Sequence, residues 1–177
     1  MLAITTTDSL ACLDAAQLKS AFSSAPSCLS LITPPRAAQW STDNSALYLA
    51  STNTIQKYEP DINSIKDVHV FNGTISHLLV KDKSSLIFAS AEKVYILEGS
   101  TVKLLSSHTS PITSIAICID SSLLAFTSST AVYVFNLNLG SQTILRGLPL
   151  TDNKINTCVF HPHTRTKLLL GTCHFLW

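Results

Sequence analysis

Residues 112–145 read ITSIAICIDSSLLAFTSSTAVYVFNLNLGSQTIL, and the grouping of residue types in this stretch decides the fold. Short runs rich in Ile, Val, Leu, Phe, Tyr and Thr are each ended by Ser, Asn, Asp or Gly, the pattern of strands divided by turns. The stretch predicts strands at Ile112–Ile119, Leu123–Thr127, Ala131–Leu137 and Gln142–Leu145. Turns are predicted at Asp120-Ser121-Ser122 and Asn138-Leu139-Gly140-Ser141. Four strands joined by turns this short form an antiparallel meander. Ala131 to Phe135 is continuously apolar or aromatic, as expected of a strand covered on both faces of its sheet.

The same unit recurs upstream. Ser84-Ser85-Leu86-Ile87-Phe88-Ala89-Ser90 followed by Val94-Tyr95-Ile96-Leu97 matches Ser121 to Thr127 followed by Val132 to Phe135. A further copy stands at Ser45 to Ser51 with Ile55 to Tyr58, and Leu2 to Asp14 lies without a gap on Leu124 to Asn136. The third strands of these units begin near Leu10, Ile55, Val94 and Val132, a period of 38 to 45 residues. A period of that length in β-rich sequence predicts an array of sheets, and the units lack the i, i+3, i+4 apolar spacing of helical repeats.

On these residues the chain resembles the WD40 family. His108, four residues before Ile112, stands where the family's Gly-His pair precedes its first strand. Trp40-Ser41-Thr42-Asp43-Asn44 and Phe160-His161-Pro162-His163 resemble its Phe-Ser-Pro-Asp-Gly turn. The chain departs from the family at the Trp-Asp pair, replaced by Tyr58-Glu59, Leu97-Glu98 and Phe135-Asn136, and at Ser107 in place of Gly. In the family an Asp–His–Ser–Trp hydrogen-bond chain braces each blade. Only the His108 position persists here, so packing is expected to take over that work.

The resemblance implies an all-β fold, an incomplete WD40-like β-propeller of about four four-stranded antiparallel blades. The blades are expected at about 1–33, 37–71, 75–106 and 112–147, with an incomplete one at 155–177. An insertion is expected at about 15–27, with a short helix after Asp14 and the fourth strand of the first blade at Cys28 to Ile32. Ile155–Phe160 and Lys167–Gly171 are the first two strands of the fifth unit, which runs out at Cys173-His174-Phe175-Leu176-Trp177. The expectation is the N-terminal part of a longer propeller, its missing blades supplied by a full-length form or by a second chain.

Composition narrows the function classes. Of 177 residues, 46% are hydrophobic and 13% charged, which fits buried strands and one domain rather than a solvated disordered chain. Net charge is +1 with no Lys/Arg cluster, so the footprint expected for nucleic acid or anionic lipid is missing. The longest apolar stretch, Ile112 to Phe126, is interrupted by Thr113, Ser114, Asp120, Ser121 and Ser122, short of the ~20 residues of a membrane-spanning helix. Cys12, Cys28, Cys118, Cys158 and Cys173 are odd in number with no Cys-x-x-Cys pair, which favours a reducing compartment. Met1 to Leu13 lacks a basic n-region and carries Asp8, so it is a poor signal peptide, and Asn72-Gly73-Thr74 is read as a turn rather than a glycosylation site.

Chemistry has few candidates. Cys158, His161, His163, Cys173 and His174 are potential zinc ligands within a short span. Their spacing is poor for zinc, because Cys158 falls inside a predicted strand and the adjacent Cys173 and His174 point to opposite faces. No Gly-x-Ser-x-Gly elbow and no Gly-rich phosphate cradle occurs. His69 and His77 read as surface or hydrogen-bonding histidines, His108 as architectural. Asp43, Asp82 and Asp120 recur beside the turn between first and second strands, a turn-forming place. Trp40 reads as core, and Arg146 and Arg165 as loop residues at blade edges.

The reading that results is a non-catalytic protein-protein interaction scaffold with no cofactor and no metal. Its partners are other proteins, not nucleic acid or membrane, and its place is intracellular, cytoplasmic or cytoskeleton-associated, with the nucleus as the alternative. The low-signature blades and the Phe160-His161-Pro162-His163-Thr164-Arg165 turn are similar to divergent propellers that target γ-tubulin complexes to microtubule-organising centres. The rivals are a non-functional truncated fragment and a propeller hydrolase or zinc protein.

Overall fold

The chain is all-β, built from antiparallel sheets whose strands follow one another in sequence. The computed structural model describes residues 2–5, 9–13, 28–30, 34–145 and 154–172. Two compact units divide the chain, Met1–Ile75 and Ser76–Trp177.

The first unit holds two sheets among the described residues. One joins β1 (Leu2–Thr5), β2 (Ser9–Leu13) and β3 (Cys28–Ser30) in that order. The other is the meander β4 (Ala37–Trp40), β5 (Leu47–Ala50), β6 (Thr54–Glu59) and β7 (Ser64–Val70). A single 3₁₀ turn at Pro60–Ile62, which sequence reasoning did not anticipate, links β6 to β7. Proline at its start is pre-set for the turn, and Asn63 leaves it in the left-handed region at φ 45°. Trp40 is half-buried at the end of β4, packed against a cluster of Leu47, Leu49 and Tyr58.

The second unit contains a meander of β8 (His77–Val80), β9 (Ser85–Ser90), β10 (Lys93–Glu98) and β11 (Thr101–Ser107). A second meander follows, β12 (Ile112–Ile117), β13 (Leu123–Ser128), β14 (Val132–Asn136) and β15 (Ser141–Leu145). The hairpin of β16 (Ile155–His161) and β17 (Thr164–Thr172) completes the described residues. β9 and β13 are buried along almost their whole length, so SLIFAS and LLAFTS carry apolar or small residues on both faces instead of alternating.

These three sheets stack through two cores. Ile87, Val94 and Ile96 of the first meander pack on Ile112, Ile115, Leu124 and Phe126 of the second. The opposite face of the second meander, Ala116, Ala125 and Val132, packs on Ile155, Cys158, Phe160 and Leu170 of the hairpin. Phe88 and Phe126, at matching places in β9 and β13, are fully buried, each worth about 1.5–3 kcal/mol of apolar burial.

Strand positions agree with the sequence reading to within a few residues, and the largest difference lies in the hairpin. There the predicted turn over Phe160 to His163 is only Pro162-His163, since His161 already pairs with Thr164. A register shift at Phe160/His161 absorbs the tight reversal and lets β17 start three residues before Lys167. The helix expected after Asp14 and most of the expected insertion at 15–27 lie outside the described residues. No helix among the described residues is long and apolar enough to cross a membrane.

Candidate functional site

The turn between first and second strands is built the same way three times. Asp43 Oδ1 accepts from the Ser45 N–H at 3.1 Å and hydroxyl at 2.7 Å. Asp82 Oδ1 accepts from the Ser84 N–H at 2.9 Å and hydroxyl at 3.0 Å. Asp120 Oδ1 accepts from the Ser122 N–H at 3.0 Å and hydroxyl at 2.6 Å. A short carboxylate closing on the residue two ahead makes a side-chain mimic of a backbone turn, which is why Asp-x-Ser recurs at these points. Burial would raise the Asp82 carboxyl, but the Ser84 and Ser85 donors and Lys81 outweigh it and hold it below the usual carboxylate range. In the hairpin the same job falls to a histidine, as the His163 N–H donates to His161 Nδ1 at 3.2 Å.

Two histidines bind neighbouring sheets together. His77 Nδ1 is 2.9 Å from the Ser76 hydroxyl and Nε2 is 3.0 Å from the Thr113 carbonyl. The carbonyl can only accept, so Nε2 carries a proton and donates it to Thr113. His108 lies 2.6 Å by Nε2 from the Ser106 hydroxyl, and its ring packs on Tyr133 at 4.2 Å and Phe126 at 5.0 Å. Ser106 also reaches Gln142 Oε1 on β15, at 2.5 Å. The architectural place foreseen for His108 is thus filled by ring packing and a serine contact. The Ser106–Gln142 link was not foreseen, and its 36-residue separation leaves no local signal. His69 pairs with Ile55 across β6 and β7.

The zinc candidates do not converge within the described residues. Cys158 is buried with its thiol toward Ser114 Oγ at 3.7 Å, and desolvation pushes it up to about 11. His161 at the end of β16 and His163 in the hairpin turn are exposed with rings 6.0 Å apart, and Cys173 and His174 lie outside the described residues. No group of three His, Cys, Asp or Glu among the described residues is placed to hold a metal. Arg146 and the side chain of Arg165 also lie outside the description.

The candidate interaction surface emerges from the stacking. β12/β13 and β16/β17 pair in the same register, with the same irregularity at Ile112/Ser114 and at Ile155/Thr157. Matching the two places the pair Val159–Leu169 where the second meander has Ala116–Ala125 and the first has Leu79–Ile87. Those two earlier pairs are covered by the following sheet. Strand neighbours point to opposite faces, so with Cys158 and Leu170 turned into the core, Val159 and Leu169 face outward. They are 50% and 45% exposed and line a groove of about 630 Å³ with His161, Pro162 and Lys167. No family model matches the chain, and no curated protein matches it.

Proposed function

We propose that this chain is a non-catalytic protein-interaction scaffold of WD40-propeller type, and that the outer face of the β16–β17 hairpin seats a partner. One observation carries the reading. The position that each preceding sheet of the second unit uses to dock its neighbour is open at Val159 and Leu169, and it is larger and more apolar than Ala116 and Ala125. The occupant that fits is a further antiparallel sheet offering the kind of face that β16 and β17 present to the second meander, aliphatic with one aromatic. The engagement of several reactive side chains among the described residues in structural contacts supports a non-catalytic role. Asp43, Asp82 and Asp120 hold turns, His77 and His108 hold sheets together, and the Cys158 thiol is buried and protonated.

Within that class the first assembly to test is the γ-tubulin complex at microtubule-organising centres, on the resemblance of the Phe160 to Arg165 turn and the low-signature repeats. The place of action would then be cytoplasmic and cytoskeleton-associated. The test is co-purification of γ-tubulin with the tagged chain from dividing cells, beside the variant Val159→Asp/Leu169→Asp. Recovery with the native chain and its loss with the variant support both the assembly and the surface. Equal recovery with the two removes the surface, and no recovery removes γ-tubulin as the partner.

A further inference from the structure

Each four-stranded sheet has two edges, and its last strand, β7, β11 or β15, is one of them. Such an edge displays unpaired backbone donors and acceptors and is normally guarded by charge, proline or a bulge. β7 carries Lys66 and Asp67, and its pairing with β6 breaks register at Ile55/Gln56. β11 carries Lys103, 2.7 Å from Glu98, and breaks register at Val94/Tyr95. β15 has neither guard. Ser141-Gln142-Thr143-Ile144-Leu145 is uncharged and runs against β14 in unbroken register from Asn136–Ser141 to Val132–Leu145. Its first four residues are exposed, Ile144 at 46%.

We propose that β15 is a self-association edge, at which two copies of the chain pair β15 with β15 antiparallel about a twofold axis at Thr143. The strand is self-complementary in that arrangement. Thr143 meets Thr143, Gln142 meets Ile144 and Ser141 meets Leu145, so no charge opposes its like. The same operation centred on β7 sets Asp67 against Asp67, and the register break in β11 interrupts a ladder there. The Ser106 contact to Gln142 already anchors β15 to β11, which lowers the ordering cost of adding a strand. The joined edges make one continuous eight-stranded sheet from two four-stranded ones.

The test is sedimentation equilibrium of the purified chain from low to high micromolar concentration, for the native sequence, Thr143→Lys and Val159→Asp. The expected result is a reversible dimer in the native chain, weakened at least about tenfold by the facing ammonium groups of Thr143→Lys and unaltered by Val159→Asp. Hydrogen exchange of the native chain, independent of any variant, should show β15 amides gaining protection as concentration rises. A monomer throughout, a dimer indifferent to Thr143→Lys, or one abolished by Val159→Asp overturns the proposal. A monomer whose β15 amides are protected only when an added extended peptide binds would assign the edge to a different partner and overturn it equally.

Discussion

His77 on β8 donates through Nε2 to the carbonyl of Thr113 on β12, at 3.0 Å, and so ties the first meander of the second unit to the next. Burial of the ring lowers its proton affinity, and the Thr113 contact only partly offsets this. His108 is shifted the same way by desolvation. A histidine with a folded-state pKa below its unfolded value contributes stability that is fully present above the ordinary value of 6.5 and is lost as pH falls below it. The melting temperature is therefore expected to drop between about pH 7 and pH 5, and His77→Gln should flatten that slope. Calorimetry across this range checks it. A slope unchanged in the variant would mean that His77 does not report on the contact.

Asp120 Oδ1 accepts from two groups of Ser122 and also from the Cys118 thiol at 2.9 Å. Asp120→Ala should cost about 1–3 kcal/mol in urea unfolding, since it leaves several donors without their acceptor. Asp82→Ala, which removes the acceptor of the Ser84 and Ser85 donors and the counter-charge of Lys81, should cost a similar amount, about 1–3 kcal/mol. Equal and negligible effects would show that these turns form without the carboxylates.

The matched pairs Ala125 and Leu169 should respond oppositely to size and polarity. Ala125 is fully buried between sheets, so Ala125→Leu is expected to destabilise by about 1–3 kcal/mol or more through overpacking. Leu169→Asp, at a half-exposed place in the same register, should stay within about 1 kcal/mol of the native chain. Denaturant midpoints for the two variants decide this, and a large loss at Leu169 would mean that its face is covered.

Cys158 should be inert in the folded chain. It is 4% exposed and its thiol is pushed up to about 11, so the thiolate is scarce at neutral pH and poorly reached. Alkylation mapped by mass spectrometry should find Cys158 unmodified under native conditions and modified in urea. Rapid native labelling would contradict the buried placement.

What local sequence determined is the strand content and its rhythm. A strand is a short-range decision, taken by runs such as LLAFTS and AVYVF and stopped by Asp-x-Ser turns whose hydrogen bonds span two residues. For that reason the third strands near Ile55, Val94 and Val132 were legible, and so was the turn role of Asp43, Asp82 and Asp120. The apolar run at Ala131 to Phe135 likewise announced a sheet with neighbours on both sides, and β14 does contribute Val132 to one core and Phe135 to the other.

Tertiary structure alone decided which apolar residues are covered. Val159 and Leu169 look as core-like in sequence as Ile115 and Phe126, yet burial depends on whether another sheet lies against that face. The same holds for His77 with Thr113 and for Ser106 with Gln142, each pair 36 residues apart. Sheet pairing makes such contacts through space between units that carry no local record of one another. The sequence specified its strands because they are short-range, and the structure chose the docking face because packing is long-range.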